Sequence, residues 1–269
     1  MSLYNALQTR SSGARTLPDA LNAMVPALVT RYNSEIGPRL LSRLPDEKLP
    51  TEPKAASSFR SRVSLLVEYS IIELLADFVT EDQPELNVTF NTLNEFADFF
   101  IRDENWVVQL RIDIKTLHDQ SAEASARFTQ LQSEIREFDD FVLYIAWQWQ
   151  THQFEGRKLV MPGLLGAVFI PATVVAEERD RRQGLSGASF SDDGLPLTAR
   201  GGRDSNFGKV DRIVHSSRRS AADLDPLITQ LLVLSQSQAD SSSSVPEELA
   251  RVEDLANEDD EVTDNTDDE

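Results

Sequence analysis

Apolar and polar residues alternate along two neighbouring segments near the middle of the chain. The segments are 96–102 and 106–116, and the polar stretch Asp103-Glu104-Asn105 lies between them. Strict alternation is typical of half-buried strands, and a short polar loop between two such segments is typical of a hairpin. The pattern therefore predicts two antiparallel strands with one face in a core.

The second arm of this hairpin ends in Asp113-Ile114-Lys115. Residues two apart on a strand point to the same side of the sheet, so Asp113 and Lys115 share a face and Ile114 points into the core. If the loop has two residues or four, Asp98 pairs with Arg111 and lies diagonal to Asp113 on that same face. A three-residue loop without a bulge would instead put the two acids on opposite faces.

The segments around the hairpin predict an α/β protein. The apolar run Phe141 to Trp147 is typical of a buried strand, and Pro26 is expected to limit a helix within 17–44. A proline-rich linker is expected over 45–53. Further strands are expected at 84–94, 157–162 and 167–171, and further helices at 59–80, 121–138, 172–182, 206–216 and 223–235.

Charge is distributed unevenly along the chain. Between Asp240 and Glu269 thirteen acids and one base contribute −12 of the net charge of −19, which leaves −7 for residues 1–239. A segment so acidic and so poor in apolar residues cannot bury a core. We therefore expect an N-terminal helical segment and linker at 1–55, a main domain at 56–235 and a disordered acidic tail at 236–269.

A local basic stretch spans residues 179–219, within the otherwise acidic chain. The planar fork of arginine suits phosphate oxygens and guanine edges, so this stretch predicts DNA contacts. A solvated arginine-rich loop is the alternative. The residues we assign to DNA binding here are Arg181, Arg182, Arg203, Lys209 and Arg212.

The absence of cysteine excludes disulfides and thiolate zinc sites, and the three histidines lack the His-x-x-x-His spacing of a zinc site. No apolar stretch reaches the length of a membrane span, and the chain does not begin with a signal-peptide pattern. We therefore expect a cytoplasmic protein.

Lysine is scarce: five lysines stand against twenty-one arginines and 45 acids. This bias is typical of a protein adapted to a salt-rich, halophilic cytoplasm, where acidic surfaces favour solubility. At about 1 M salt the Debye length is roughly 3 Å, so a net negative charge barely repels DNA.

Asp98 and the Asp113-Ile114-Lys115 triplet resemble the signature of the PD-(D/E)xK nucleases, and within them of the type II restriction endonucleases. In that family an acid opens one strand and acid-x-lysine closes the next. An upstream helix carries arginine and then glutamate, which Arg62 and Glu68 resemble, with Glu73 as the alternative glutamate. The resemblance covers about residues 59–149. Alanine stands at position 97, where the family often has proline.

The resemblance implies a restriction-endonuclease-like core, which is a mixed β-sheet flanked by helices in the order helix, three strands, helix, strand. Additional helices are expected at both ends. It implies Mg²⁺-dependent hydrolysis of DNA at a specific duplex sequence. Asp98, Asp113 and the carbonyl of Ile114 would hold Mg²⁺, which prefers oxygen ligands. Lys115 would orient water or contact the scissile phosphate, and Glu68 would complete the site or hold a second ion.

Partners follow from the same resemblance. Arg127 on the predicted helix after the hairpin is a further expected DNA contact. Family analogy implies a homodimer acting on a two-fold symmetric site, with a cognate DNA methyltransferase. Two alternatives stay open: a nuclease of the same fold that serves repair or recombination, and a non-catalytic helical interaction protein whose acidic tail is its working part.

Overall fold

The computed structural model describes most of the chain up to residue 177. The elements predicted further on, the arginine-rich stretch 179–219 and the tail 236–269, lie outside the described residues. Arg127 and half of the predicted helix 121–138 also lie outside them. The described residues are 2–10, 16–40, 49–93, 96–118, 128, 130, 132–154 and 156–177.

Five strands form one mixed sheet in the order β1-β2-β3-β4-β5. Strands β3 and β4 are parallel, and the other neighbouring pairs are antiparallel. The predicted α/β class with a mixed sheet and helices is therefore confirmed at this level. The strands are β1 (Asn87–Phe90), β2 (Phe99–Arg102), β3 (Val108–His118), β4 (Asp140–Phe154) and β5 (Arg157–Pro171).

Helices precede the sheet in the chain and cover one of its faces. Residues 172–177, after the last strand, are also helical. Among the described residues, no helix has the length and apolar character needed to cross a membrane. The helices before the sheet are α1 (Leu3–Gln8), α2 (Thr16–Arg31), a π-helical turn (Tyr32–Ile36), α3 (Gly37–Leu40) and α4 (Pro53–Asp82).

Apolar side chains fill both faces of the sheet. The core under the helices takes Leu110, Ile112 and Ile114 from β3, together with side chains of α1, α2 and α4. The core on the opposite face takes Leu117 from β3 and residues of β4, β5 and the helical segment 172–177. The alternation predicted for β3 is confirmed, and it leaves Asp113 and Lys115 on the face opposite α4.

Pro26 does not limit the helix in which it lies. Helix α2 continues through it to Arg31, although proline cannot donate the helical hydrogen bond to the residue four places before it. Packing against β5 offsets that loss. The side chain of Asn22 also bonds to both backbone groups of Phe169, at 2.9 Å each, and so covers the exposed edge of the sheet.

Helix α4 begins before the predicted residue 59. Glu52 caps it, because the Glu52 carboxylate accepts the backbone N–H of Lys54 at 3.1 Å and of Ala55 at 2.6 Å. Pro53 then occupies the first helical position, where its missing N–H costs nothing. The cap extends the helix into the segment predicted to be a linker.

The chain between β3 and β4 differs from the predicted helix 121–138 in its described part. Residues Gln132–Glu134 form a 3₁₀ turn, and residues 137–139 form a further turn before β4 begins. The prediction is therefore wrong for 132–138. The carboxylate of Asp140 accepts the backbone N–H of Arg136 at 2.8 Å, which stabilises a turn there instead of a continuing helix.

Strands β4 and β5 form one long antiparallel hairpin. The predicted strand over Phe141 to Trp147 is confirmed and continues to Phe154. The two short strands predicted at 157–162 and 167–171 are instead one strand, β5. It lies at the edge of the sheet, where proline is tolerated, so Pro162 does not end it.

Candidate metal-binding and catalytic site

The hairpin loop is longer than the lengths considered from the sequence. Pairing of β2 with β3 ends at Arg102 and Val108, so the loop consists of residues 103–107. Asp103 stabilises it, since its carboxylate accepts the backbone N–H of Val107 at 2.9 Å. The loop has an odd number of residues, which alone would put Asp98 on the wrong face.

A β-bulge restores the shared face. Ile101 pairs with Leu110, which leaves Gln109 as one extra residue on β3. An extra residue changes the parity of the pairing, and with it the face on which each side chain lies. Continued by one residue beyond Phe99, this register would place Asp98 on the same side as Asp113, and the carboxyl groups of the two residues do interact.

The predicted pairing of Asp98 with Arg111 is wrong. Arg111 pairs with Phe100, and Asp98, which lies just before β2, donates its backbone N–H to the carbonyl of Ile112. The physical reason is the combination of the longer loop and the bulge, which moves β2 along β3.

Strand β2 starts at Phe99, whereas β3 runs on to His118, so the second half of β3 has lost its β2 neighbour. Asp98 stands at this point. Its backbone N–H donates to Ile112 at 2.9 Å, and its Oδ2 accepts the backbone N–H of Ile114 at 2.6 Å. The carboxylate therefore occupies the position that the next backbone carbonyl of a longer β2 would take.

Asp113 and Lys115 form a close ion pair on one face of β3. Lys115 Nζ donates to Asp113 Oδ1 at 2.8 Å and lies 2.6 Å from Oδ2, in a direction unfavourable for a hydrogen bond. Lys115 Nζ also lies 3.4 Å from the carbonyl oxygen of Ile114. The side chains of Lys115 and Asp113 are 19% and 15% exposed, so the pair is largely shielded but open on one side.

Glu68 supplies a third carboxylate from helix α4. Its Oε1 accepts the hydroxyl of Thr116 at 2.9 Å, directly beside Lys115 in the chain. Glu73 is exposed and lies about 140° further around the helix. Of the two glutamates considered from the sequence, Glu68 is the one that lies near the acids of the hairpin.

Burial and negative charge nearby make the carboxyl groups of Asp113 and Glu68 hard to ionise. Burial raises the pKa of Asp113 to about 6; Asp98 adds to the increase and Lys115 opposes it. Burial raises the pKa of Glu68 to about 7; the negative charges of Asp98 and Asp113 act in the same direction, and Thr116 and Lys115 oppose it. Asp113 and Glu68 thus interact both with Asp98 and with Lys115.

Arg111 does not contact Asp98. It forms a two-pronged ion pair with Asp140: its Nε donates to Oδ1 at 2.6 Å and its Nη2 donates to Oδ2. Asp140 is fully buried. Sequence reasoning missed this pair, although a charged residue that opens the continuous apolar strand 141–147 was a usable signal.

His118 lies in the core, edge-on to Trp147 with ring centroids 4.3 Å apart. Burial lowers its pKa to about 4, and the nearby charge of Arg60 adds to the decrease. A neutral, packed histidine has an ordinary structural role in the core. We place it outside the candidate site.

The oxygen atoms of the site match the ligands that Mg²⁺ prefers. Asp98, Asp113 and the carbonyl of Ile114 lie together at the same place on β3. Within the described ranges, no group of three or more histidine, cysteine or acidic side chains is arranged to hold a metal ion as the side chains stand. The donor types therefore fit the ion, although the carboxylates as they stand do not surround a single point.

The DNA contacts predicted from the sequence lie outside the described residues. They are Arg127, Arg181, Arg182, Arg203, Lys209 and Arg212. Of the predicted site residues, the structure brings Glu68, Asp98, Asp113, Ile114 and Lys115 together.

Comparison with known proteins adds no relative. No protein-family model matches the chain, and neither the curated proteins nor the solved structures give a significant match. The function therefore has to be inferred from the geometry of the site.

Proposed function

We propose that the chain is a Mg²⁺-dependent endonuclease that hydrolyses DNA phosphodiester bonds, of the PD-(D/E)xK type and within it a type II restriction endonuclease. The proposal places the reaction at Asp98, Asp113, Lys115 and Glu68. It places the enzyme in the cytoplasm.

One observation carries the proposal: in the described part of the chain, carboxyl groups from three different elements interact electrostatically with one another, and two of them, Asp113 and Glu68, also interact with Lys115. Glu68 comes from α4, Asp98 from the start of β2 and Asp113 from β3. When all are ionised, the cluster has two more negative charges than positive ones. Partly buried negative charge of this kind is costly unless a cation binds. A divalent ion would supply the missing positive charge.

The order of elements supports the same conclusion. Helix α4 is followed by the antiparallel strands β1, β2 and β3 and then by β4, which is parallel to β3. This agrees with the helix, three strands and later strand that the sequence resemblance implies. The helix expected between β3 and β4 has no counterpart in residues 132–139, so the agreement concerns the strands and α4.

Each side chain has a role that its position permits. Asp98 and Asp113 have carboxyl groups that interact with one another and would hold the cation with the Ile114 carbonyl. Lys115 has its ammonium group beside both Asp113 and that carbonyl, so it can donate to a phosphate oxygen or hold the attacking water. Glu68 adjoins Thr116 and can accept a proton from water.

Bound Mg²⁺ would neutralise negative charge on the phosphate and make water more acidic. The protein's own contribution is to hold the oxygen ligands in place and to keep the lysine near them. The backbone N–H of Ile114 fixes Asp98, and β3 fixes the spacing of Asp113 and Lys115. These contacts exist before any ion binds, so part of the site is preorganised.

Double-stranded DNA is the proposed substrate, and the arginine-rich stretch 179–219 is the proposed region of contact. A homodimer would let two copies of the site cut the two strands of a symmetric sequence. A cognate methyltransferase would protect the host's own DNA. The acidic composition suits DNA binding at high salt, where charge repulsion is short-ranged.

The test is cleavage of plasmid DNA by the purified chain with Mg²⁺ at high salt. Wild type should give discrete fragments, and chelation of the metal should stop the reaction. Asp113→Asn and Lys115→Ala should each lower the rate by more than about a hundredfold, because each removes a group that contacts the reacting phosphate or its cation. Lys158→Ala, at an exposed position of β5, is the matched control and should cut normally.

The outcomes separate the alternatives. A smear instead of discrete fragments would favour a less specific nuclease of repair or recombination. Intact plasmid under all conditions, with wild type and Asp113→Asn alike, would contradict the nuclease proposal and favour the interaction protein.

A further inference from the structure

Asn91, just beyond the end of β1, connects that strand to the corner where Asp98 lies. Its Nδ2 donates to the carbonyl of Ala97 at 2.8 Å, and its backbone N–H donates to the carbonyl of Asp98 at 2.9 Å. Its Oδ1 accepts the backbone N–H of Leu93 at 2.9 Å. Asn91 thus donates hydrogen bonds to two successive backbone carbonyls, those of Ala97 and Asp98, and Asp98 is the proposed cation ligand.

The corner needs such support because its backbone is strained. Ala97 has a φ of +95°, a conformation that side-chain-bearing residues rarely adopt. This turn of the backbone ends the regular pairing of β2 with β3 and releases Asp98 from the ladder. The carboxylate of Asp98 can then take the backbone N–H of Ile114, at 2.6 Å.

We propose that Asn91 is a positioning residue: it holds the strained corner at Ala97 so that the Asp98 carboxylate is fixed against Ile114 and beside Asp113. The contact with Ile114 is a property of the fold and does not depend on the enzyme activity. Its consequence for cation binding rests on the proposed function.

The direct reporter is hydrogen exchange at the Ile114 amide, measured by NMR on the full chain. This amide bonds to the carboxylate of Asp98, so its protection reports where that carboxylate lies. Asn91→Asp keeps the acceptor for Leu93 but replaces the donor to Ala97 with a repelling oxygen. We expect the Ile114 amide to exchange roughly tenfold faster or more, as it should in Asp98→Ala, because its charged acceptor is lost.

Asn105→Asp is the matched control, because it makes the same chemical change at the exposed tip of the same hairpin. Its Ile114 amide should exchange as in wild type.

A second pair of variants tests whether Asn91 offsets the backbone strain at Ala97. Glycine tolerates φ values near +95°, so Asn91→Ala should lose Ile114 protection and the double variant Asn91→Ala with Ala97→Gly should regain part of it.

Binding of Ca²⁺, measured by calorimetry, separates positioning from charge. Asn91→Asp adds a negative charge near the site, which by attraction alone would tighten binding. Misplacement of Asp98 predicts the opposite, a loss of affinity of about tenfold or more. Tighter binding by Asn91→Asp would overturn the proposal.

Unchanged Ile114 exchange in Asn91→Asp would also overturn the proposal, and so would a failure of Ala97→Gly to restore protection. If wild type binds no divalent ion, the proposed function fails. The exchange measurement would still decide whether Asn91 positions Asp98.

Discussion

The two halves of one face of β3 differ in how their charges are balanced. At Arg111 one cation meets one buried acid, Asp140, in a two-pronged pair, and Asp140 accepts a further backbone N–H from Arg136. A few residues on, Lys115 pairs with Asp113, whose carboxyl group also interacts with those of Asp98 and Glu68. The pair of Arg111 with Asp140 is electrically neutral, whereas the group around Lys115 has an excess of negative charge when its acids are ionised. The comparison shows how a structural ion pair and a candidate functional site can share one strand.

The largest effect on stability should come from replacing an aspartate by asparagine in each of the two arrangements and comparing the results. Asp140→Asn leaves Arg111 largely buried without its anion, so we expect a loss of about 3–5 kcal/mol of unfolding free energy. Asp113→Asn removes one of three crowded negative charges and should be neutral or stabilising. Urea denaturation is the measurement, because urea does not screen charges. Equal losses of unfolding free energy in Asp140→Asn and Asp113→Asn would contradict the proposed difference in charge balance between the two arrangements.

The pH dependence of stability should sharpen the comparison. Glu68 has a pKa raised to about 7, so the folded chain holds this proton more tightly than the unfolded chain. Its contribution to stability is therefore present below the ordinary carboxyl range and is lost as pH rises through about 7. His118, whose pKa is lowered, acts in the opposite sense at lower pH.

The difference between wild type and Glu68→Gln isolates the effect of Glu68. Glutamine should stabilise the protein at pH 8 by about 1–2 kcal/mol, after allowance for solvent screening, and by much less at pH 5. In a domain of this size that corresponds to a Tm increase of about 2–4 °C per kcal/mol, measured by thermal unfolding. Glu73→Gln, on the same helix but exposed, should show no such difference between the two pH values.

The smallest effect concerns the backbone at Ala97. Glycine relieves the strain of its φ of +95° but adds freedom to the unfolded chain, and the two effects oppose one another. We expect Ala97→Gly to change the unfolding free energy by less than about 1 kcal/mol in otherwise wild-type protein. A loss well beyond that in urea titrations would mean that the side chain of Ala97 has a packing role.

Local alternation was enough to predict part of the site. It placed Asp113 and Lys115 on one face, and the even-loop hairpin placed Asp98 on that face too. The predicted pairing was wrong, and a five-residue loop combined with a bulge at Gln109 has the same parity as an even loop. Alternating residues look alike in both registers, so the pattern could not distinguish them.

The local alternation pattern could not predict contacts between segments that are distant in the chain. The pair of Arg111 with Asp140 depends on the parallel alignment of β3 with β4, which the local pattern of neither strand specifies. The turn at 137–139 involves the same carboxylate, since Asp140 also accepts the backbone N–H of Arg136. Likewise, the continuation of α2 through Pro26 depends on its packing against β5.

Isothermal titration of the chain with Mg²⁺ or Ca²⁺ at pH 8, where the acids are ionised, tests the central claim most directly. The excess of carboxylates around Lys115 predicts cation binding by wild type and by Glu73→Gln, and its loss in Asp113→Asn. Wild-type protein that binds neither ion, or Asp113→Asn that binds as wild type does, would contradict the account.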